Sequence, residues 1–212
     1  MRPTHALTAV SAAAVVALAA PAAMSWTGDA YADGSVLRTQ GTGTASGTVD
    51  ADSDGNLELT ANSAGGTKFL VPILNLLPYS NPTTVNGRAL VSDGVEGFPA
   101  VEAGNDYLVT VTYSDLDLES SQEGNGDAVA AVWAQASAGV DGAGHTLVAG
   151  SGTEVVTEDG ATVLEFEFHA TQDSAVGVRA AISVLTTANG EGNEASAELN
   201  GVVTDVEIIE ID

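Results

Sequence analysis

The run VDADSDGNLEL, residues 49–59, gathers the side chains with the clearest chemistry in this chain. Asp50, Asp52 and Asp54 alternate along it, followed by Gly55, Asn56 and Glu58. A calcium loop places oxygen ligands at positions 1, 3 and 5, a turn glycine at 6 and a main-chain carbonyl at 7. Position 9 acts through water, and a bidentate acid at 12 closes the site. Asp50, Asp52, Asp54, Asn56 and Glu58 match this order, but Ala61 stands where the closing acid belongs. No helical pattern flanks the run, which excludes an EF-hand. Two expectations remain. One is a hairpin turn on Asp54-Gly55 whose carboxylates are solvated. The other is a weak calcium or magnesium site on those five residues, the only cofactor the sequence offers.

Catalytic groups are scarce. The three histidines, His5, His145 and His169, have no metal-ligand spacing. His169 stands beside Glu167 and Glu165, where it reads as charge compensation. Neither a Gly-x-Ser-x-Gly elbow nor His-Glu-x-x-His occurs. With no cysteine, disulfides, thiolate metal sites and a thiol nucleophile are all excluded. Carboxylates are too numerous for any pair to mark a glycosidase dyad. The expectation is a protein that is not an enzyme.

That abundance is itself informative. The chain has 29 Asp and Glu against 5 Lys and Arg, a formal charge of −24, and Lys68 is the sole lysine. Such a surface repels nucleic acid and anionic membranes. Its self-repulsion is relieved where salt screens charge. A halophilic source, archaeal in character, is the expectation.

Residues 1–32 have the order of a secretory signal: Arg2, an uncharged stretch from Ala6 to Ala20, then Pro21 and small residues. Cleavage positions are offered by Ala20-Pro21-Ala22 and Ala30-Tyr31-Ala32. If the segment is retained, residues 1–26 are the chain's only route into a membrane. The expected location is extracellular, at a cell surface or on a virion.

Beyond residue 33 the apolar residues alternate or form short blocks between Gly, Asn, Asp and Ser, the pattern of strands and turns. In YLVTVTYSDLDLE (107–119) Val109, Val111, Tyr113, Asp115 and Asp117 fall on one face. In TVLEFEFHA (162–170) Leu164, Phe166 and Phe168 oppose Val163, Glu165, Glu167 and His169. AVAAVWAQA (128–136) and VGVRAAISVL (176–185) are apolar on both faces and should run mid-sheet, which places Trp133 in the core. Pro72 and Pro78 make FLVPILNLLPY (69–79) a bent edge strand or a segment crossing between sheets. Separate strands are expected at 88–91, 194–199 and 202–211. The fold class is therefore all-β: an antiparallel two-sheet sandwich, jelly-roll-like, of about ten strands. It would occupy residues 50–212, behind an extended segment at 33–49.

Two family resemblances follow from these segments. AGNDYLVTVTY, TVLEFEFHAT, VGVRAAISV and GVVTDVEIIEI, with Asp205-Val206, resemble successive strands of the carbohydrate-binding jelly rolls attached to polysaccharide hydrolases. That resemblance implies a glycan partner held by aromatic stacking, with Tyr107, Tyr113 and Trp133 as the aromatics to consider. SGTVDADSDGNLEL, preceded by a signal segment and an extended run, is similar to the camelysin-related biofilm-fibre and bundling-pilus subunits. In place of their aromatic-Phe-Ser-Asp box the chain has WTGDAYADG. The second resemblance implies self-association into a homopolymer, with SVLRTQGTGTASGTV (35–49) donated as a strand to a neighbour. The functional expectation is an extracellular structural subunit of a filament or shell. The alternatives are a carbohydrate-binding or adhesive module and a virion structural protein.

Overall fold

Short apolar runs broken by Gly, Asn and Asp become twelve strands in the computed structural model, which describes residues 26–31, 43–52, 54–70, 75–79, 83–91, 100–139 and 147–211. They are β1 (Trp26–Tyr31), β2 (Thr44–Ala51), β3 (Asn56–Ala64), β4 (Gly66–Leu70), β5 (Asn75–Tyr79) and β6 (Thr83–Val91). After these come β7 (Asp106–Glu123), β8 (Asp127–Gly139), β9 (Leu147–Val156), β10 (Gly160–His169), β11 (Ala175–Thr187) and β12 (Glu194–Ile211). His5, His145, Pro72, most of residues 1–32 and residues 33–42 lie outside the described residues.

Sheet I runs β1-β6-β11-β8-β9 and sheet II runs β10-β7-β12-β3-β2; β4 and β5 form a separate ribbon. Every strand pairing is antiparallel. The sheets stack so that β11 lies over β12 and β3, β9 over β10, and β1 over β2. This is the expected antiparallel sandwich.

Alternation decides what each sheet buries. Sheet II turns Leu59, Val109, Val111, Tyr113, Phe166 and Phe168 inward; sheet I answers with Val132, Ala134, Val178, Ala180, Ile182 and Val184. Large side chains of one sheet thus meet many small ones of the other, which lets the layers approach with few aromatics. Each fully buried Val or Leu contributes about 1.5–3 kcal/mol.

Four expectations change. Strict alternation along β7 would carry Asp115 and Asp117 into the core behind Tyr113. Instead Asp115 takes a left-handed conformation (φ 52°), and the register shifts against both neighbours. That bulge turns Leu116 inward, 2% exposed, and leaves both aspartates outside. The segments 194–199 and 202–211 are one strand, β12, continuous through Gly201. A Cβ on Gly201 would stand 2.7 Å from the Leu116 side chain, so the glycine makes room for the bulge residue. The proline-containing block is not an edge strand of either main sheet: it crosses from β3 of sheet II to β6 of sheet I and on the way forms the β4–β5 ribbon, in which Pro78 pairs with Thr67.

Last, the sandwich starts before residue 50. β2 spans 44–51 and pairs with β3 along its whole length, so the described part of the 33–49 segment is an edge strand of its own domain. Trp26–Tyr31, inside the stretch read as an export signal, is β1 and pairs with β6.

Candidate functional site

The acidic turn between β2 and β3 is held by its own second aspartate. Asp52 Oδ1 accepts hydrogen bonds from the amides of Asp54 (2.9 Å) and Asn56 (3.0 Å), and Oδ2 accepts from Asn56 Nδ2 (2.7 Å). The Asn56 side chain first, then its amide, hold the Asp52 carboxyl below the ordinary range. Gly55 supplies the positive φ of the turn (86°), and its carbonyl accepts from the Val203 amide, tying the hairpin to β12. Asp50 Oδ1 accepts from the Ala51 amide at 3.0 Å. Glu58 faces Asp50 across the ladder, and Asp54 is exposed.

Asp50, Asp52, Asn56 and Glu58 edge a groove of about 390 Å³ that also touches Asp115 and Asn200. Among the described residues, however, no group of three or more His, Cys, Asp or Glu side chains is arranged to hold a metal ion. Of the five calcium-loop residues, Asp52 and Asn56 are engaged with each other. Asp50 and Glu58 are cross-strand neighbours, and Asp54 stands apart.

The outer face of sheet II carries many acids and hydroxyls. Asp50–Glu58–Asn200–Asp117 form one cross-strand row, and Thr48–Thr60–Glu198–Glu119 the next. The Thr48 and Thr60 hydroxyls lie 2.6 Å apart, and those of Ser121 and Ser196 2.7 Å apart. On the same sheet His169 Nδ1 is 2.7 Å from Asp106 Oδ1, both side chains more than half exposed. Asp106, rather than Glu165 or Glu167, is the partner of His169.

The aromatics separate into two groups. Tyr107 and Tyr113 are buried, 3% and 0% exposed, and cannot present a ring to a sugar. Tyr107 stacks on Phe168, centroids 5.4 Å apart, and its hydroxyl accepts from the Glu102 amide at 2.9 Å. Tyr113 donates to the Trp133 carbonyl at 2.7 Å, and burial pushes its phenol well above the ordinary pKa.

Trp133 is on the other side of its strand. Ala130, Val132, Ala134 and Ala136 of β8 fill the core, so Ala131, Trp133 and Gln135 face outward. Likewise Val178, Ala180, Ile182 and Val184 of β11 point inward and leave Arg179, Ser183 and Leu185 on the outer side, where Ala181, on the same parity, is itself fully covered. The expectation of a core Trp133 is corrected: the indole is half-buried on the open face of sheet I. Its lateral neighbours are small, Ala181 on β11 and Thr153 on β9. One row away Arg179 pairs with Gln135, and Gln135 with Ser151. On the other side are Ala131 and Val155, then Leu185 opposite Val129; Val155, Leu185 and Val129 are 56, 39 and 38% exposed.

Arg179 and Gln135 escaped the sequence analysis although a signal was present. In β11 Arg179 falls on the parity opposite to Val176, Val178 and Val184, while in β8 Gln135 opposes Val132 but shares its parity with Val129. Registering those strands puts them side by side, next to the tryptophan.

No protein-family model matches the chain, and no curated protein matches it. Among solved structures it is similar to a CBM4 structure, 13% identical over 78% of this chain and 78% of that one, with a TM-score of 0.30. It is also similar to the enzymatically active domain of tailspike protein 4 of bacteriophage CBA120, at 10% identity and a TM-score of 0.31. That match covers 82% of this chain and 20% of the tailspike chain. Likenesses this distant leave the ligand to be argued from the site alone.

Proposed function

We propose that the chain is an extracellular carbohydrate-binding domain of a halophile, with the open face of sheet I as its binding surface. One observation carries this reading: the tryptophan expected in the core stands on an outer sheet face between two small neighbours. A half-buried indole there supplies an apolar ring for a sugar to stack on. Gln135, Thr153, Ser151 and Arg179, on the rows at and beside Trp133, supply hydrogen-bonding groups for hydroxyls. Binding rather than catalysis is favoured because the face carries no histidine and no carboxylate beside Trp133 among the described residues.

A glycan array probed in about 1 M salt, where the Debye length falls to roughly 3 Å, tests this. Binding lost in Trp133→Ala, with the fold retained, supports it; an array with no signal refutes it.

A second reading, a subunit of a surface assembly, is favoured by β1. This six-residue edge strand pairs with β6 alone, the form in which strands pass between copies. The donated strand would then be 26–31, since 44–49 is already paired within its own domain. Disulfide trapping of Asp29→Cys with Arg88→Cys, which face each other across the β1–β6 ladder, separates swapped from unswapped chains.

A further inference from the structure

We infer that the glycan bound on the open face of sheet I is an acidic one, in which Arg179 takes a uronate carboxylate while Trp133 carries a sugar ring. The inference rests on the carbohydrate reading above and names the class of sugar.

It starts from an unpaired charge. The chain has 29 acidic residues and 5 basic ones. With acids in such excess, a basic side chain is expected to find a carboxylate. Arg179 has none: among the described residues the one ion pair is His169–Asp106, and the Arg179 side chain has no hydrogen-bond partner. Yet Arg179 is half-buried.

Its surroundings explain the isolation. The residues registered around it are Gln135, Ser151, Trp133, Ala181 and Thr153 on β8, β9 and β11, with Leu90 opposite it on β6 and Arg88 opposite Ala181. The nearest outward carboxylate on these strands, Asp127, pairs with Thr187. That is eight residues along β11 from Arg179, about 27 Å at the usual strand rise. Sheet II has the opposite character, with the row Asp50–Glu58–Asn200–Asp117 holding three carboxylates on its outer face. Acids therefore cover the outer face of sheet II, whereas on sheet I the carboxylate in register with the Trp133 row, Asp29 on β1, stands opposite Arg88 on β6, two strands from Arg179.

The spacing suits a uronic acid. Trp133 pairs with Ala181, and Arg179 is two residues along the same strand. Such diagonal neighbours have Cβ atoms about 7–8 Å apart. A pyranose stacked on the indole can thus direct a carboxylate on its own ring, or on the next one, towards the guanidinium. Two parallel N–H···O bonds can form there, the geometry in which arginine binds carboxylates best. Gln135, directly across from Arg179, is placed to donate to the same group or to a neighbouring hydroxyl. The net charge of −24 opposes any anion at a distance, but in molar salt that repulsion dies within a few ångströms. The contact at the arginine survives.

The test uses the full chain in about 1 M NaCl against an array of oligouronates, each paired with its carboxyl-reduced neutral counterpart. The wild type should bind at least one oligouronate about tenfold more tightly than its reduced partner. Arg179→Gln should bind the two alike, at the weak level of the neutral sugar, and Trp133→Ala should bind neither. Amide spectra of both variants must match the wild type away from the substituted strand. Equal wild-type binding of acidic and neutral sugars overturns the inference and leaves the carbohydrate reading standing. No binding to either removes both. Displacement of the oligouronate by acetate at equal concentration would show a bare anion site and overturn the role given to the ring. Association of the chain with itself, lost in Arg179→Gln without any sugar present, would assign the arginine to the carboxylates of a second copy and overturn the inference as well.

Discussion

The hydroxyl of Tyr113, fully buried on β7, donates a 2.7 Å hydrogen bond to the main-chain carbonyl of Trp133 on β8. The bond crosses from sheet II to sheet I and ends at the residue whose side chain faces outward. A core phenol thereby fixes the height of the strand that presents the indole. The candidate platform is attached to the core through its backbone, while its ring remains on the surface.

Tyr113→Phe removes that bond and leaves the packing nearly unchanged. A buried hydrogen bond of this kind contributes about 1 kcal/mol net, so a loss of that order is expected in denaturant unfolding. The pH dependence has a defined sign. Burial raises the phenol's pKa in the folded protein, whereas in the unfolded chain it titrates near 10. The stabilisation is fully present below pH 10 and is lost as the pH rises beyond it, because the unfolded state releases the proton first. Melting curves from pH 8 to 11.5 should fall less steeply for Tyr113→Phe than for the wild type.

Trp133→Ala should separate binding from folding. Truncating a buried aromatic usually costs about 3–5 kcal/mol. On an open face the cost should be well below that, and glycan binding should disappear. A loss of stability in the full core range would place the indole inside the protein and remove the platform. The paired control is Tyr107→Ala, which should lose the stacking on Phe168 and destabilise in the core range.

How much of this was legible in the sequence depends on the strand. In β10 the large apolar residues Leu164, Phe166 and Phe168 alternate with charged ones, and that parity alone gave the buried face. In β8 the neighbours of Trp133 are alanines on both parities. Periodicity there could not tell the indole's face, and only the register with β11 does. The β7 bulge was hidden because one residue, Asp115, makes it by adopting a conformation that no pattern records. Gly201 looked like a strand break, yet its missing side chain is what lets β12 pass beneath Leu116. β1 was masked by composition, since it adjoins an alanine-rich stretch with the marks of an export signal. The acidic turn was located correctly, but whether Asp52 serves an ion or its own hairpin depends on hydrogen bonds that spacing does not fix.

Asp52 offers a second pH test, at the acid end. Its folded pKa is depressed by the hydrogen bonds it accepts, so its contribution is present above the unfolded value near 3.9 and is lost as the pH falls through the folded one. Asp52→Asn keeps an acceptor for the Asp54 and Asn56 amides and removes the titration. Amide exchange at Asp54 and Asn56 should then become insensitive to pH between 2 and 5, while in the wild type it accelerates towards pH 2 once intrinsic rates are divided out. Asp54→Ala should leave that protection unchanged, because its carboxylate takes no part in the turn.

Asp115→Gly should raise stability. The left-handed conformation costs an L-residue about 1–2 kcal/mol, and glycine's greater freedom in the unfolded chain takes back roughly 0.5–1. A net gain of up to about 1 kcal/mol is expected from denaturant unfolding. Asp115→Val, β-branched and poorly suited to positive φ, should lose stability instead. If both variants lose it, the Asp115 side chain contributes something its exposure does not reveal.

Finally, β1 constrains where an export signal can be cut. Cleavage at Ala30-Tyr31-Ala32 would excise Trp26–Tyr31 and bare the backbone edge of β6, whose residues 86–91 pair with that strand. An uncovered edge of that length is a template for association with other chains. Cleavage at Ala20-Pro21-Ala22 keeps β1 in place. If the chain is exported, N-terminal sequencing of the mature protein should therefore find a start upstream of Trp26, and a chain begun at residue 33 should aggregate where one begun at residue 23 does not. A native start at residue 33 in a monodisperse protein would mean that β6 is a stable edge by itself and that β1 is dispensable to the sandwich.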